Sequence, residues 1–343
     1  MNIPLTQPVA EIMRAVADIL GDDSGTVLVG GPVRDMLLGL QPKDYDFATP
    51  LLPDEVERRV RAAGKRAYIV GKRYGTVGFK IDGDFIEVTT FRSELYDLSS
   101  RKPTVTFTQD LEQDLSRRDF TINAMALRMD GELIDPYDGQ KDLAGKVVRA
   151  VEEPKHRFRE DPLRMLRMVR LVARLGFSIE PATAKASDEL GYLLTKISTE
   201  RVSSEIDGIL VGANASSALH VLAELGLLSF SVPLLAVQVH YDQNSKFHSL
   251  TLWEHTVKTV TGVDADVELR WAALLHDIGK PFVRRDKPGR STYVHHDLVG
   301  SRLVQMVARD LKWSNDRRDR VAELVRSHLE DDSPLRASDN AAK

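Results

Sequence analysis

An α+β head followed by an all-helical remainder is the fold class the sequence predicts, and three observations predict it. Short β-branched and apolar runs with period-two alternation are confined to roughly the first 150 residues. After about Val151 the strand signals fade and apolar patterns of 3.6-residue period dominate. Histidine is scarce before position 239 and frequent after it, at His240, His248, His255, His276, His295, His296 and His328, which marks off a last segment of different chemistry. The expected layout is a head with a mixed sheet and helices over 1–150, an all-α neck over 151–228, and a histidine-bearing helical segment over 229–343.

In the head, residues 26–29 form a short apolar strand that ends in Gly30-Gly31, and residues 33–40 begin a helix. Residues 44–48 and 85–91 alternate and are rich in β-branched or aromatic side chains, as strands are. Asp82-Gly83-Asp84 and Asp130-Gly131-Glu132 read as hairpin turns. Helical patterns follow at 161–175, 184–194, 203–210, 217–225, 252–260 and 269–278. There is no internal repeat and no low-complexity tract. The polar residues 331–343 carry no helical pattern and are expected to fray.

Composition narrows the chemistry. With 343 residues, 29% charged and 42% hydrophobic, the chain has the make-up of a globular protein with two or three domains. It contains no cysteine, which excludes disulfides and thiolate metal sites, so any metal must use carboxylates, histidines or water. No stretch of 18 apolar residues occurs, and no charged region precedes an apolar run at the N-terminus. A cytoplasmic protein with no membrane contact is expected. A net charge of −4 argues at first against a nucleic-acid partner, but distribution outweighs the sum. Between Lys155 and Arg174 stand seven Lys or Arg against two acids, Glu160 and Asp161, a basic stripe in a mildly acidic chain.

Asp44 and Asp46 are two apart, so on a strand both carboxylates face the same way. Two hard anions on one face suit Mg²⁺, which shares its oxygen ligands with substrate phosphates. Upstream, Val27-Leu28-Val29 runs into Gly30-Gly31 and then a helix. Glycines let a backbone approach phosphate closely, a helix start offers free N–H groups, and Arg34 one turn in adds a cation. Either half of this pattern alone is commonly a turn; the two together, ten residues apart, are far more specific.

The order Leu28-Val29-Gly30-Gly31-Pro32-Val33-Arg34-Asp35, then Asp44-Tyr45-Asp46-Phe47, resembles the first motif of class II tRNA nucleotidyltransferases, the CCA-adding enzymes, and of bacterial poly(A) polymerases. Glu87-Val88-Thr89-Thr90-Phe91-Arg92 looks like the hinge motif of that family, and the stretch from Asp114 to Ala126 is similar to its ribose-recognition motif. Glu160-Asp161-Pro162-Leu163-Arg164-Met165-Leu166-Arg167 matches its base-selecting helix. The resemblance implies a nucleotidyltransferase-fold head in which Asp44 and Asp46 hold two Mg²⁺ ions. Arg117, Arg118, Asp119 and Asn123 become candidates for ribose and phosphate contacts. Glu87 is either a third metal carboxylate or the group that orients Arg92 or Arg118.

At 100° per residue, Glu160, Arg164, Arg167, Arg170 and Arg174 share about a third of a helix circumference, with Met165, Val169 and Val172 opposite. Asp161 falls in the expected first turn, where the helix dipole favours a carboxylate. In the resembled family the Asp and the first Arg of this motif hydrogen-bond the Watson–Crick edge of the incoming base, which carries over to Asp161 and Arg164. A carboxylate can accept the amino protons that C and A share and that U lacks. Arg167 and Arg170 are then placed to neutralise the triphosphate or the primer backbone.

His255, His276-Asp277 and His296 resemble the site of an HD-type metal phosphohydrolase, which suits a transition metal such as Ni²⁺, Mn²⁺ or Zn²⁺. Such sites take a last Asp from a helix beyond the position of His328. Here only 331–343 follows, with Asp331, Asp332 and Asp339 but no helical pattern, so the segment reads as incomplete.

The function expected is template-independent addition of C and A to the 3′ end of tRNA from CTP and ATP, by a monomer or homodimer. Within the same chemistry stand an A-adding enzyme, a CC-adding enzyme and a poly(A) polymerase. The stretch 93–110 is long enough to be the flexible element that switching from C to A requires, which favours full CCA addition. An HD phosphohydrolase with an inactive head and a non-enzymatic RNA-binding protein are the competing classes. The intact Asp44, Asp46, Asp161 and Arg164 argue against both.

Overall fold

A computed structural model describes residues 5–95, 104–244 and 250–342. In its first unit, Met1–Glu160, the strands are β1 (Val27–Val29), β2 (Tyr45–Thr49), β3 (Thr76–Ile81), β4 (Asp84–Thr90), β5 (Arg92–Leu95), β6 (Thr104–Phe107), β7 (Ala126–Arg128), β8 (Leu133–Ile134) and β9 (Val147–Val148). The helices of this unit are α1 (Gln7–Leu20), α2 (Gly31–Leu37), α3 (Pro53–Ala62), α4 (Leu111–Ser116), α5 (Gly139–Gly145) and α6 (Pro154–Glu160).

Six strands form one mixed sheet in the order β3-β4-β2-β1-β7-β8. Its pairs are antiparallel except β2 with β4, which run parallel. Both expected Asp-Gly turns close hairpins: Asp82 and Gly83 take positive φ between β3 and β4, and Gly131 does so between β7 and β8. The sheet buries Leu28, Phe47, Phe79, Ile86 and Val88, and α1 adds Met13, Val16 and Leu20 from its apolar face. β5 and β6 pair as a separate ribbon that overlaps the stretch 93–110, of which residues 96–103 lie outside the described residues.

The second unit, Asp161–Lys343, is helical apart from short strands, of which 285–287 and 290–292 pair antiparallel. It contains α7 (Arg164–Leu175), α8 (Pro181–Leu190), α9 (Thr199–Leu210), α10 (Ala215–Glu224), α11 (Leu228–Ser231), α12 (Pro233–Ala236), α13 (Leu252–Gly262), α14 (Val267–Leu275), α15 (Lys280–Val283), α16 (His296–Asp310), α17 (Asn315–Arg326) and α18 (Arg336–Ala341). No helix among the described residues is long and apolar enough to cross a membrane.

The first compact unit extends to Glu160: Phe158 on α6 is buried in it, and Arg157 donates to the Ser116 carbonyl. The Asp207 carboxylate on α9 takes both the Trp271 indole N–H at 2.6 Å from α14 and the Arg317 guanidinium at 2.6 Å from α17, knitting the neck helices to the histidine-bearing ones.

The tail departs from the expected fraying. Helix α18 packs on α13: Ser338 donates to the Thr259 carbonyl at 2.8 Å, and Ala342 is fully buried. Gly262 makes the approach possible, since a Cβ there would collide with the Ser338 hydroxyl.

Candidate active site

The parallel β2–β4 ladder builds the head site. Its register sets Asp46 directly opposite Glu87, while Asp44 lies just before β2 and is exposed. Alternation buries Tyr45 and Phe47 and leaves Asp46 half-exposed between them. Glu87 has its pKa raised, first by burial, then by the negative charge of Asp46 and then by that of Asp44. A carboxyl raised by two neighbouring carboxylates marks a site that a cation relieves. Among the described residues, the close groups of three or more ligating atoms all lie in the second unit, so this trio is an open set rather than a closed cage. That suits Mg²⁺, which keeps positions for water and phosphate.

Gly30 begins the loop beside these strands. It has a φ of 75°, and a Cβ on it would stand 2.9 Å from Nη1 of Arg118. The glycine therefore gives the backbone its turn and gives the guanidinium its place. Replacing it with Ala is expected to cost about 1–3 kcal/mol in thermal unfolding. Unchanged melting would contradict this role. Gly31 opens α2, with Nη2 of Arg34 at 3.6 Å from where its Cβ would be.

Arg34 is buried and engaged. Its Nε and Nη2 donate to Oδ1 of Asp35 at 2.9 and 2.7 Å, and its Nη1 donates to Oδ1 of Asn123 at 2.7 Å. Asn123 in turn donates through Nδ2 to Asp119 at 3.0 Å, and that carboxylate also accepts the Phe120 N–H at 2.9 Å. Arg34 thus ties the glycine loop to the segment that carries Asp119 and Asn123.

Asp114 is a buried anchor for two arginines. Fully buried, it accepts from Arg117 at 2.6 Å and from Arg118 at 3.2 Å. Burial alone would raise its pKa; the Arg118 and Arg117 guanidiniums overcome that and leave it lowered. The spacing Asp, i+3 Arg, i+4 Arg was a signal, since those positions meet on a helical turn. Because its folded pKa is depressed, its contribution to stability is present above the unfolded value and is lost as pH falls through the folded one. Asp114→Asn is expected to cost about 3 kcal/mol and to flatten that acid limb. A variant with wild-type stability across pH would remove Asp114 from this role.

In the second unit, Asp161 precedes α7 instead of sitting within it. Pro162 disfavours a helical conformation for the residue before it, and the Asp161 Oδ1 accepts the Leu163 N–H at 3.1 Å. Arg164 is buried, whereas Arg167, Arg170 and Arg174 lie on the exposed side and Met165, Val169 and Val172 are buried, as the periodicity predicted. The arginine face is not free of acids in space. Arg201 on α9 pairs with Asp161 at 2.9 Å, and Glu205 pairs with Arg170 at 3.4 Å.

A second centre lies among α13–α18. The Nε2 atoms of His255 and His276 are 3.0 Å apart, with Asp277 Oδ2 3.1 Å from each and Asp339 Oδ1 3.0 Å from His255. On the other side of Asp277, Oδ1 is 3.2 Å from His296 Nε2, which is 3.2 Å from His328 Nε2. All six residues are buried. Sequence reasoning missed His328 and Asp339. The carboxylate thought lacking comes from α18, and Ala342 at its end accepts from His255 Nδ1 at 3.3 Å.

The outer nitrogens decide what this centre can hold. Nδ1 of His276, His296 and His328 each lies 2.7 Å from a backbone carbonyl, of Ala273, Tyr293 and Val325. Those bonds assign the proton to Nδ1 and turn the Nε2 lone pairs inward. Facing lone pairs repel unless a cation or a proton lies between them, so the donor set fits a divalent transition metal. The paired carboxylates favour positive charge among the histidines. His276 is pushed up to about 9, burial lowering it but Asp277 and Asp339 more than reversing that. His328 falls to about 4, by burial first and then by the charge of His276. Despite burial, Asp277 is held well below the usual range by His276 and Lys280, whose Nζ is 2.6 Å away.

Comparison with known proteins places these sites. The poly A polymerase head domain family matches residues 26–149, the probable RNA and SrmB-binding site of polymerase A matches 176–238, and the HD domain matches 247–342. The CCA-adding enzyme of Geobacillus thermodenitrificans (strain NG80-2) is 39% identical over 295 residues, spanning 84% of this chain and 68% of that protein. The A-adding tRNA nucleotidyltransferase of Deinococcus radiodurans is 37% identical over 319 residues, spanning 89% and 69%. The crystal structure of the Bacillus stearothermophilus CCA-adding enzyme in complex with CTP has 30% identity and a TM-score of 0.67, covering 97% of this chain and 82% of that one. A mixed-sheet head with paired carboxylates beside a glycine loop, followed by a helical unit with an HD centre, defines a nucleotidyltransferase of this class. The chain belongs to the CCA-adding enzyme family of tRNA nucleotidyltransferases.

Proposed function

We propose that this enzyme adds C, C and A to the 3′ end of tRNA without a nucleic-acid template, using CTP and ATP in the cytoplasm. The observation that carries the reading is the β2–β4 register that sets Asp46 beside Glu87, with Asp44 close enough to raise the same carboxyl. Asp44 and Asp46 would hold two Mg²⁺ ions, with Glu87 as the third carboxylate. When bound, these ions lower the pKa of the RNA 3′-hydroxyl and offset the charge on the leaving pyrophosphate. Gly30 and Gly31 admit the triphosphate to the backbone. Arg118, set between Gly30 and Asp114, with Arg117 beside it, carries the cationic contact to phosphate and ribose that the sequence had also offered to Arg34. Asp119, Asn123 and Arg34 hold that segment against the loop.

Asp161 accepts the amino group that cytosine and adenine share, and Arg164 donates to their ring acceptors. Arg167 and Arg170 counter phosphate charge from the exposed side of α7. Three transcripts, ending before CCA, after C and after CC, separate the alternatives when each is given CTP or ATP alone. Incorporation of C, C and A respectively is expected. Incorporation of A only into the third transcript makes this an A-adding enzyme, and long A tails make it a poly(A) polymerase.

A second activity rests on the complete ligand set at the other centre. His255, His276, Asp277 and Asp339 form one group and Asp277, His296 and His328 another. Ni²⁺, Mn²⁺ or Zn²⁺ bound there would run phosphoester hydrolysis, with 2′,3′-cyclic phosphate as the test substrate. Hydrolysis lost on chelation and restored by one of these ions supports it; no turnover with any of them restricts the centre to structure.

A further inference from the structure

Helix α9 presents two faces with different partners. On one, Asp207 binds Arg317 and Trp271, and the Ser203 hydroxyl accepts the Trp313 indole N–H at 3.0 Å. That face is fixed by buried aromatic rings: Trp271 is fully buried, and the Arg317 guanidinium lies 4.3 Å from the centre of the Trp313 ring. On the other face, Arg201, Glu205 and Gly208 follow at i, i+4 and i+7 and meet the segment of Asp161 and α7. Arg201 donates to Asp161 Oδ2 at 2.9 Å, and Glu205 pairs with Arg170. Gly208 leaves room for the Arg170 side chain, since a Cβ there would stand 2.5 Å from its Nε.

We propose that Arg201 is a positioning residue for base selection: it fixes the Asp161 carboxylate from a rigid helix and thereby sets the discrimination of C and A against U. This rests on the reading of Asp161 as the carboxylate that accepts the base amino group. An ionised carboxylate offers about four lone-pair positions. The Leu163 N–H occupies one on Oδ1 and Arg201 one on Oδ2, so each oxygen is held and each keeps room for a further donor. A carboxylate locked in this way meets the amino group of cytosine with a hydrogen bond and the carbonyl of uracil with repulsion. Without Arg201, Oδ2 is released and the carboxylate can turn away from the mismatched carbonyl. A fixed polar site discriminates strongly and a yielding one does not.

The Arg201 side chain is 52% exposed, so the pair adds little to stability and its loss leaves the fold intact. In the full chain, Arg201→Ala is expected to lower the ratio of kcat/KM for CTP over UTP roughly tenfold, with an unchanged melting temperature. Arg201→Lys is expected to restore part of that ratio. Asp161→Ala is run beside them, together with the double variant, which should be no less selective than Asp161→Ala alone. If Asp161→Ala collapses the ratio and Arg201→Ala leaves it at the wild-type value, the role of Arg201 is overturned and that of Asp161 stands. If Asp161→Ala leaves the ratio intact, both readings fail.

Discussion

Asp46→Ala and Asp44→Ala are each expected to lower nucleotide addition by about 10³-fold or more, the scale of losing roughly 4 kcal/mol of transition-state stabilisation. The chemistry transfers a nucleotidyl group from pyrophosphate to the RNA 3′-hydroxyl, and the protein contributes mainly position and charge. Taking away either carboxylate removes an anchor for the cations that carry that charge. Both positions can lose the side chain without loss of the fold. Asp44 is exposed and Asp46 half-exposed, whereas the strand is held by buried Tyr45, Phe47 and Ala48. Removing a negative charge beside Glu87 should also let its raised pKa fall back. Rates are to be measured by single-turnover incorporation, with circular dichroism to verify folding. A folded variant that adds nucleotides at a rate near wild type would remove these residues from the catalytic role.

The second large effect is expected at Asp277. It stands between both groups of ligating atoms, with Oδ2 toward His255 and His276 and Oδ1 toward His296. Asp277→Ala therefore loses the bound divalent ion, read by elemental analysis of the purified protein. It also leaves Lys280 as a buried ammonium whose remaining partner of note is the Gln243 side chain at 2.9 Å. An uncompensated buried charge is expensive, and a loss of about 3–5 kcal/mol in unfolding free energy is expected. The double variant Asp277→Ala, Lys280→Met removes the stranded charge and should recover part of the stability without recovering the ion. Full metal content in Asp277→Ala would contradict the ligand assignment, and an unchanged melting temperature would contradict the electrostatic one.

Local patterns were legible in the sequence, and long-range partnerships were not. Asp44, Asp46 and the Gly30-Gly31 turn could be read because strand alternation and glycine geometry act over a few residues. That Glu87 stands beside Asp46 follows from the parallel pairing of β2 and β4, a contact between strands about forty residues apart whose register no local period encodes. Arg201 and Glu205 were invisible as partners of Asp161 and Arg170 for the same reason, since they come from another helix.

Asp339 is the instructive miss. The segment Arg336–Ala341 is six residues of mostly polar composition, too short to be helical alone and without an apolar stripe to betray it. It is helical because Ser338 docks on Thr259 beside Gly262 and Asp339 enters the histidine cluster. Tertiary contacts, not propensity, make this helix. Arg34 shows the opposite limit. Its place one turn into α2 was correctly read, but only the fold shows that Asp35 and Asn123 occupy its guanidinium.

The central claim is that one chain without a template chooses C, then C, then A, and stops. It is tested most directly by the intact mass of a tRNA transcript that ends at the position before CCA, incubated with the enzyme, Mg²⁺ and all four nucleoside triphosphates. The account predicts a single product heavier by two C and one A residues. A product that stops at CC, a transcript left unextended, a heterogeneous A tail, or incorporation of U or G would contradict it.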